Sequence, residues 1–533
     1  MSNNQSESPF GNPKFLMAIA VTFFGLWGWQ FYLGKKYPAR PATEQTATAT
    51  TGATAAPSEV TAATPGAAST IAAATTEAEQ TLPYEDDNVK FEVSSKGLGI
   101  KDFTLKKYTD RKGALIQFTS NEPQAELVAN NKPISFTISL VNEPETKSQN
   151  VEFLGTAYVD GKKITRKLIY NKETTAFEST TEFDAGFESL GLKLFQKHHQ
   201  PASKSFLTPS FEHQDFIWVE AGSAKTESIA NLKDNEAFHK SAPAATMASI
   251  GTQYFTAASV NRADIVPSVS NKVESNMASV NIEYNIKDAK ISTITQAIYL
   301  GPKKTDMLLA VDKQLTETLN YGMFGMISAI LMKLLNFMHG IFGNWGLSII
   351  ALTLVVRSIL LPFNVMSFRS AQSMQKVKPK LDAIRERFKD DPMRMNKETM
   401  AVMKENNANP LSGCLPMLIQ IPIFFALWRA IGSSIEIYQQ PFFGWITDLS
   451  YHDPFFVFPV LMGVTMFLQQ KMTPTTMDPT QAKILNFMPI LFTLFMLTLP
   501  SGLTLYNFVS ALFGVIQQYF LLKEAKTKSP VVA

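Results

Sequence analysis

This sequence has very few cysteines, no spacing of residues typical of a metal site, and almost balanced numbers of positive and negative charges. Cys414 is the only cysteine, which excludes an intramolecular disulfide, and the six histidines show no spacing that would close a zinc site. Lys and Arg number 49 against 46 Asp and Glu, so net charge gives no argument for DNA as a partner. No nucleophile–base set or metalloprotease motif lies in the apolar segments, so we expect no catalytic residue, metal or cofactor.

Long hydrophobic runs, in contrast, are abundant. Phe15 to Leu33 contains no charge and would be about 28 Å long as a helix, enough to cross the hydrocarbon core of a membrane. We expect a transmembrane anchor at 15–33 after a cytoplasmic N-terminus at 1–14, with a cleaved signal peptide as the alternative. Residues 34–83 are rich in Ala, Thr and Pro, which predicts a flexible linker because few large side chains could build a core.

Residues 84–314 have the two-residue periodicity of half-buried β-strands. Ile134 to Asn142 (ISFTISLVN) and Val280 to Ile286 (VNIEYNI) alternate apolar and polar side chains. Asp160 and Gly161 separate two β-rich runs, a strong signal for a hairpin turn. We therefore predict a large antiparallel β-sandwich domain that serves as a docking or spacer unit.

The apolar segment at 315–342 is long enough to approach a full span, but it contains Lys333, Asn336 and His339. These polar groups stay hydrated in an amphipathic helix that lies in the headgroup plane, whereas a spanning helix would bury them. We predict an interfacial helix here, and a true span is the alternative.

Five further segments have the length and composition of transmembrane helices, and with the anchor they make six. They are 345–363, 414–434, 454–469, 484–499 and 503–522.

The distribution of Lys and Arg orients these helices. Ten of these residues lie between Arg369 and Lys404, whereas Ser433 to Asp453 has none. Because basic loops stay in the cytoplasm, this predicts that both termini are cytoplasmic and that the β domain is periplasmic. The corresponding connections are a cytoplasmic helical hairpin at 364–413, a periplasmic loop at 435–453, a cytoplasmic loop at 470–483 and a cytoplasmic basic tail at 523–533.

Arg357 is the most unusual residue of the spans, since it lies about 9 Å from the cytoplasmic end of its helix. Estimates of the cost of an arginine near the bilayer centre range from about 2.5 to about 17 kcal/mol, so it is expected to face protein or water. Thr353 lies one turn before it and extends a polar stripe. The alternative is that Arg357 snorkels to the cytoplasmic headgroups.

Uncharged polar residues on other spans could face the same place as Arg357 and Thr353. Individually such residues are more often helix-packing contacts, but together with an unpaired arginine they predict a hydrated groove. They are Gln420, Tyr506, Asn507, Ser510 and Gln517.

The basic segment after Arg357 has the pattern of a helical hairpin. Its first arm carries an apolar seam with 4,3,4 spacing, formed by Val377, Leu381, Ile384 and Phe388. Asp390-Asp391-Pro392 predicts the turn, and we expect Met393, Met400 and Met403 on the returning face. The remaining basic face could bind anionic lipid headgroups, ribosomal RNA or an acidic partner, or it could simply be solvated.

Four segments in order resemble successive motifs of the YidC insertase family: YGMFGMISAILMKLLNFMHGIFGNWGLSIIALTLVVRSILLP, NPLSGCLPMLIQIPIFFALW, DPFFVFPVLMGVTMFLQQKM and PSGLTLYNFVSALFGVIQQ. The resemblance covers roughly Tyr321 to Leu522. The extra first span and the large outer domain are similar to the long form of double-membrane (Gram-negative) bacteria.

The resemblance implies a polytopic α-helical membrane protein with six transmembrane helices, five of which form the insertase core, a periplasmic β-sandwich and a cytoplasmic helical hairpin. It implies that Arg357 is the groove arginine with Thr353 as its polar neighbour, that Gln420 and Tyr506 contact clients, and that the hairpin matches 368–406. Asn507 departs from the pattern, since relatives can carry a second tyrosine there.

The implied function is that of an insertase and chaperone for client membrane proteins, beside membrane lipids and alone or with the Sec translocon, the ribosome and the signal recognition pathway. A secondary transporter of a small anion and a structural scaffold are the alternatives. A transporter should show repeated, interrupted helices, and the sequence shows none. A scaffold would leave the polar stripe around Arg357 unexplained.

Overall fold

The computed structural model describes residues 79–118, 122–141, 150–198, 212–230, 232, 236–287, 290–406, 415–473 and 479–528. The predicted N-terminus at 1–14 and the predicted anchor at 15–33 lie outside these residues. So does the predicted linker at 34–83, except for its last residues, which enter the first strand.

The described part of the N-terminal half is an antiparallel β domain, as its two-residue periodicity predicts. Its strands are β1 (Thr81–Glu85), β2 (Val89–Ser94), β3 (Gly99–Thr109), β4 (Leu115–Phe118), β5 (Glu126–Ala129), β6 (Lys132–Pro133), β7 (Thr137–Leu140), β8 (Asn150–Val159), β9 (Lys162–Asn171), β10 (Ala176–Phe183), β11 (Ser189–Lys197), β12 (Gln214–Glu220), β13 (Ser223–Ser228), β14 (Phe238–Ala242), β15 (Met247–Thr252), β16 (Phe255–Asn261), β17 (Ser268–Glu274), β18 (Met277–Asn285) and β19 (Thr293–Pro302).

These strands form three sheets that share one core. The sheet orders are β13-β12-β15-β16-β19-β10-β9-β8-β7, β14-β17-β18-β11-β5-β6 and β1-β2-β3-β4. In β9 every second residue is buried, including Ile164, Leu168 and Tyr170, because one face of the sheet packs on the core. The predicted hairpin turn is confirmed: Asp160 and Gly161 have φ angles of 51° and 76° between β8 and β9, the positive values that a two-residue turn requires.

The last strand of the β domain, β19, ends at Pro302. After β19 the chain forms helix α1 (Thr305–Val311) and a 3-10 helix (Lys313–Leu319). Leu308, Leu315 and Leu319 are buried against the nine-stranded sheet. The connection to the membrane helices is therefore packed onto the domain.

The C-terminal half is helical. Its helices are α2 (Gly325–Phe342, preceded by a 3-10 turn at Gly322–Phe324), α3 (Trp345–Arg387), α4 (Pro392–Glu405), α5 (Leu415–Ser433), α6 (Val457–Met472), α7 (Pro479–Met496) and α8 (Ser501–Lys528).

Helix α3 is a single helix of 43 residues that contains both the predicted span at 345–363 and the first arm of the predicted hairpin. Pro362 and Pro379 lie inside it. Each proline removes one main-chain hydrogen bond, but it does not end a helix whose residues pack on both sides of the interruption.

Among the described residues, three helices are long and apolar enough to cross a membrane by length and composition: Gly322–Phe342, Trp345–Arg387 and Ser501–Glu524. Ile419–Ser433 and Asn486–Met496 are shorter apolar helices. These helices confirm the prediction that the chain contains several apolar helices. One of them, Gly322–Phe342, is the segment that we predicted to be interfacial.

The close contact between Gly346 and Phe442 can be used to test the packing of the helical part. A β-carbon built on Gly346, near the start of α3, lies 1.9 Å from Cδ2 of Phe442. We expect Gly346→Ala to lower the free energy of unfolding by about 1–3 kcal/mol, because the ring must move out of a packed core. Thermal unfolding in detergent measures the loss.

Gly340→Ala is the matched control, because a β-carbon at Gly340 in α2 meets nothing within 4 Å. Alanine is the better helix former, so this variant should be as stable as the original or slightly more stable. Equal melting temperatures for the two alanine variants would contradict the packing around Gly346.

Candidate functional site

Arg357 lies in α3, where its side chain is half-buried and faces α8. Its Nε donates a hydrogen bond to Oγ of Ser510 at 2.5 Å. In the described part of the chain, no carboxylate forms a salt bridge with Arg357. The group that accepts its hydrogen bond is therefore a neutral hydroxyl.

A second polar contact joins α5 to α8 beside the arginine. Gln420 Nε2 donates to the hydroxyl of Tyr506 at 3.4 Å, and Tyr506 is fully buried one turn before Ser510. We call Arg357, Gln420, Tyr506 and Ser510 the polar cluster. The cluster unites residues from three helices that are far apart in the sequence.

The other three predicted site residues do not join this cluster. Thr353 is fully buried, and its hydroxyl donates to the carbonyl of Ile349 in its own helix. Asn507 donates to the carbonyl of Leu503 and lies 3.9 Å from the sulfur of Met496 on α7. Gln517 is half-buried.

The predicted role of Thr353 in a hydrated stripe is not supported by its burial. The hydroxyl of Thr353 makes its hydrogen bond to a carbonyl of its own helix, which is the usual arrangement for threonine in an apolar environment. Asn507 likewise bonds its own helix. We predicted Thr353 beside Arg357 from helical spacing and Asn507 from its polar character on another span, whereas the hydrogen bond of each hydroxyl or amide described above stays within its own helix.

The loop between α5 and α6 covers one end of the helical core. Asp453 is fully buried and accepts hydrogen bonds from Trp445 Nε1 and from the main-chain amides of Phe455 and Phe458, at 2.8–3.0 Å. Gly502 N, at the start of α8, donates to the loop at 2.9 Å. The loop is thus a folded cap next to the helix that carries Tyr506.

Sequence reasoning treated this segment as a simple periplasmic loop. The signal that was available is the pair Asp448 and Asp453, since aspartates often accept amide hydrogen bonds in turns and at helix starts. Asp448 indeed accepts from the amides of Gln439 and Ser450 at 3.1 and 2.7 Å.

The second half of α3 packs against α4 in the segment that we predicted to be a helical hairpin. Val377 and Leu381 are buried with Met374, and Val402 and Met403 pack against them from α4. The last two seam residues, Ile384 and Phe388, are only half-buried. The guanidinium carbons of Arg387 and Arg394 lie 5.6 and 5.3 Å from the Phe388 ring centroid, so the end of the hairpin is basic.

The predicted returning face was wrong for two of its three methionines. Met403 packs inward, but Met393 and Met400 are 77% and 55% exposed. Helix α4 begins at Pro392, and its less exposed positions include Met395 and Val402, which are seven residues apart. Met393 and Met400 follow the same spacing two positions earlier, which places them on the opposite side.

Metal ligands are not grouped in the described residues, where no three His, Cys, Asp or Glu side chains could hold an ion.

Comparisons with known proteins cover both halves of the chain. The family model described as "YidC periplasmic domain" matches residues 82–334, and the one described as "60Kd inner membrane protein" matches residues 337–528. A solved structure titled "Active YidC insertase crystal structure with the first transmembrane domain resolved" is 18% identical with a TM-score of 0.37, and the match covers 84% of this chain and 93% of that one.

Curated relatives carry the description "Membrane protein insertase YidC". The one from Campylobacter jejuni is 47% identical over 42% of this chain and 43% of its own length, and the one from Haemophilus influenzae is 40% identical over 57% of each. The one from Geobacter sulfurreducens is 32% identical over 81% of this chain and 84% of its own length. The chain therefore belongs to the YidC family of membrane protein insertases, with the membrane location and periplasmic domain of that family.

Proposed function

We propose that this insertase accepts the outer tail of a client membrane protein at the polar cluster. The observation that carries the proposal is Arg357, which is half-buried, bonded to the hydroxyl of Ser510 and without a salt bridge in the described residues. An acidic or polar client tail would find there a cation and several hydrogen-bonding side chains. These groups reduce the cost of moving the tail through an apolar region.

Insertion then needs no covalent chemistry, so we propose that the protein is not an enzyme. The tail passes beside the cluster while the apolar helix of the client leaves into lipid, where burial of apolar surface favours the inserted state. The membrane potential assists acidic tails that move outward.

We further propose the six-span topology, with α2 lying at the outer interface. Gly322, just before α2, is next to Arg429 near the end of α5, while His339 near the end of α2 stacks on Trp345 at the start of α3 with 3.9 Å between ring centroids. Both ends of α2 thus meet the outer ends of predicted spans. A helix with both ends at one side of the membrane lies along that side.

The hairpin of α3 and α4 is proposed to project into the cytoplasm, together with both termini. Its exposed Arg387 and Arg394 offer a basic surface for anionic lipid headgroups, ribosomal RNA or an acidic protein. The Sec translocon, the ribosome and components of the signal recognition pathway are the proposed partners.

The test of this function is insertion of a short client with an acidic outer tail into vesicles that contain the protein. Protection of the tail from added protease measures insertion, and vesicles without the protein are the control. We expect protection only with the protein, and more of it for the acidic tail than for the same tail with neutral amides. Equal insertion of clients with acidic and with neutral tails would contradict the proposed role of charge.

A further inference from the structure

The loop between α5 and α6 exposes three aromatic rings, although its interior is well packed. The side chains of Phe443 and Phe455 are 59% and 71% exposed, and that of Phe456 is 40% exposed. The sequence has no Lys or Arg between Arg429 and Lys471, so no basic side chain breaks this surface. Exposed apolar patches of this kind mark sites that contact a membrane or another protein. We call Phe443, Phe455 and Phe456 the aromatic patch.

The backbone at the start of α6 is strained where it carries one of these rings. Phe456 has φ and ψ angles of 56° and 23°, a left-handed conformation that a bulky residue rarely adopts. The turn is held by Asp453, whose carboxylate accepts hydrogen bonds from the amides of Phe455 and Phe458 and whose carbonyl accepts from the amide of Phe456 at 3.1 Å. Strain that the surroundings enforce in this way points to a function of the residue that carries it.

The aromatic patch continues an apolar stripe on α6. Val460 and Val464 lie one and two turns after Phe456 on the same side of the helix and are 52% and 53% exposed, and Phe467 in the next turn is exposed as well. In a membrane protein, a stripe of exposed apolar side chains faces the acyl chains of the lipids. The rings before α6 therefore extend a lipid-facing surface beyond the end of the helix.

Helix α6 is too short to cross a bilayer without such an extension. It has 16 residues and is about 24 Å long, whereas the hydrocarbon core is about 30 Å thick. Gln469, Gln470 and Lys471 occupy its last turn, so the apolar part of the helix is shorter still. Apolar side chains just outside a short span reduce this mismatch.

The loop lies on the same side of the membrane as the β domain. The hydroxyl of Tyr438, in the loop, donates to the carbonyl of Thr109 at the end of β3 at 2.9 Å. Between residues 441 and 460 the only carboxylates are those of Asp448 and Asp453, and both accept hydrogen bonds from main-chain amides. Neither is an uncompensated charge that would keep the loop away from the apolar part of the leaflet.

We propose that the aromatic patch binds the outer leaflet of the membrane. The rings of Phe443, Phe455 and Phe456 insert at the boundary between lipid headgroups and acyl chains and hold the outer end of α6 at that depth. The partner is the lipid surface itself, and the strained turn at Phe456 directs a ring towards it. The inference rests on the proposed six-span topology.

Fluorescence quenching by brominated lipids measures the depth of the patch. In a Cys414→Ser background of the full chain in vesicles, Phe455→Cys or Val464→Cys carries an NBD label, and the bromine atoms lie either near the headgroups or near the chain ends. We expect at least twofold stronger quenching at 455 by bromine near the headgroups than by bromine near the chain ends. The order should be reversed at 464, in the middle of α6.

Tyr158→Cys is the matched control, because Tyr158 is 72% exposed on the β domain. A label there should be quenched by iodide in water and by neither lipid. Quenching by lipid at 464 but not at 455 would overturn the proposal and leave the topology intact. Absence of lipid quenching at both positions would overturn the topology as well, and stronger quenching at 455 by bromine near the chain ends would contradict the interfacial depth.

Phe456→Gly separates lipid binding from folding. Glycine adopts a φ of 56° without strain, so this variant should melt in detergent at the temperature of the original or above it. With one ring of the patch removed, quenching at 455 by bromine near the headgroups should fall by at least half. Unchanged quenching would remove Phe456 from the patch and contradict the proposed reason for the strain.

A client helix is the alternative cover for these rings. Addition of excess client should leave the lipid quenching at 455 unchanged, because the patch is proposed to hold lipid throughout insertion. Loss of at least half of this quenching when the client binds would show that the patch is a client surface, and would overturn the proposal.

Discussion

Arg357→Ala is expected to lower insertion of a client with an acidic outer tail about tenfold, which corresponds to about 1.4 kcal/mol of lost attraction. The half-buried guanidinium has Ser510 as its hydrogen-bond partner and, among the described residues, no salt bridge to neutralise it. Alanine removes the cation that compensates the tail for lost hydration. Protease protection of the tail in vesicles measures the effect.

Arg357→Lys is the matched variant and should retain much of the activity, because it keeps the charge while it loses the planar fork of donors. A client with a neutral tail should respond little to either change. Full insertion of the acidic-tailed client by Arg357→Ala would remove the arginine from the mechanism.

Arg166→Met is expected to cause the largest loss of stability in the β domain, about 3–5 kcal/mol. Arg166 lies in β9, is fully buried, and its Nε donates to the hydroxyl of Ser179 at 3.0 Å. Its NH1 donates to the carbonyls of Gly97 and Ala125 at 2.7 Å each. Ser179 and Arg166 belong to the nine-stranded sheet and Ala125 adjoins the six-stranded sheet, so one side chain ties the two together.

Methionine replaces only the apolar stem of arginine and leaves these buried carbonyls without a donor, which is the costly outcome. Thermal unfolding of the full chain, followed by the loss of β signal in circular dichroism, measures the change. Arg262→Met is the control, since Arg262 is exposed and pairs with Glu178 at the surface, where a salt bridge contributes less than about 1 kcal/mol. Similar losses for both variants would contradict the proposed role of Arg166.

Local patterns in the sequence predicted those strands, turns and helices that depend on interactions between residues close together in the chain. Alternation of side chains predicted the strands, and Asp160-Gly161 predicted its turn, because positive φ angles are tolerated there. Apolar length predicted the helices. The resemblance to the insertase family, carried by four ordered motifs, is confirmed by a relative that is 32% identical over 81% of this chain.

The prediction of which side of a helix faces its neighbour was less accurate. Met393 and Met400 are exposed because the face of α4 is set by its packing on Leu381 and its neighbours, and not by the spacing of methionines. The sequence did not show that the predicted span and the first arm of the predicted hairpin form one helix, in which α3 continues through Pro362. Side chains on both sides of a proline decide whether a helix goes on.

The sequence by itself determined the class of this protein: apolar runs of membrane length, a β-rich domain between them, and an arginine in a span that requires a polar environment. Only the tertiary structure decided which polar residues provide that environment. Ser510 and Gln420 join the cluster while Thr353 turns to its own helix. The reason is that hydropathy and periodicity are properties of one segment, whereas a hydrogen bond between helices depends on how three separate segments pack.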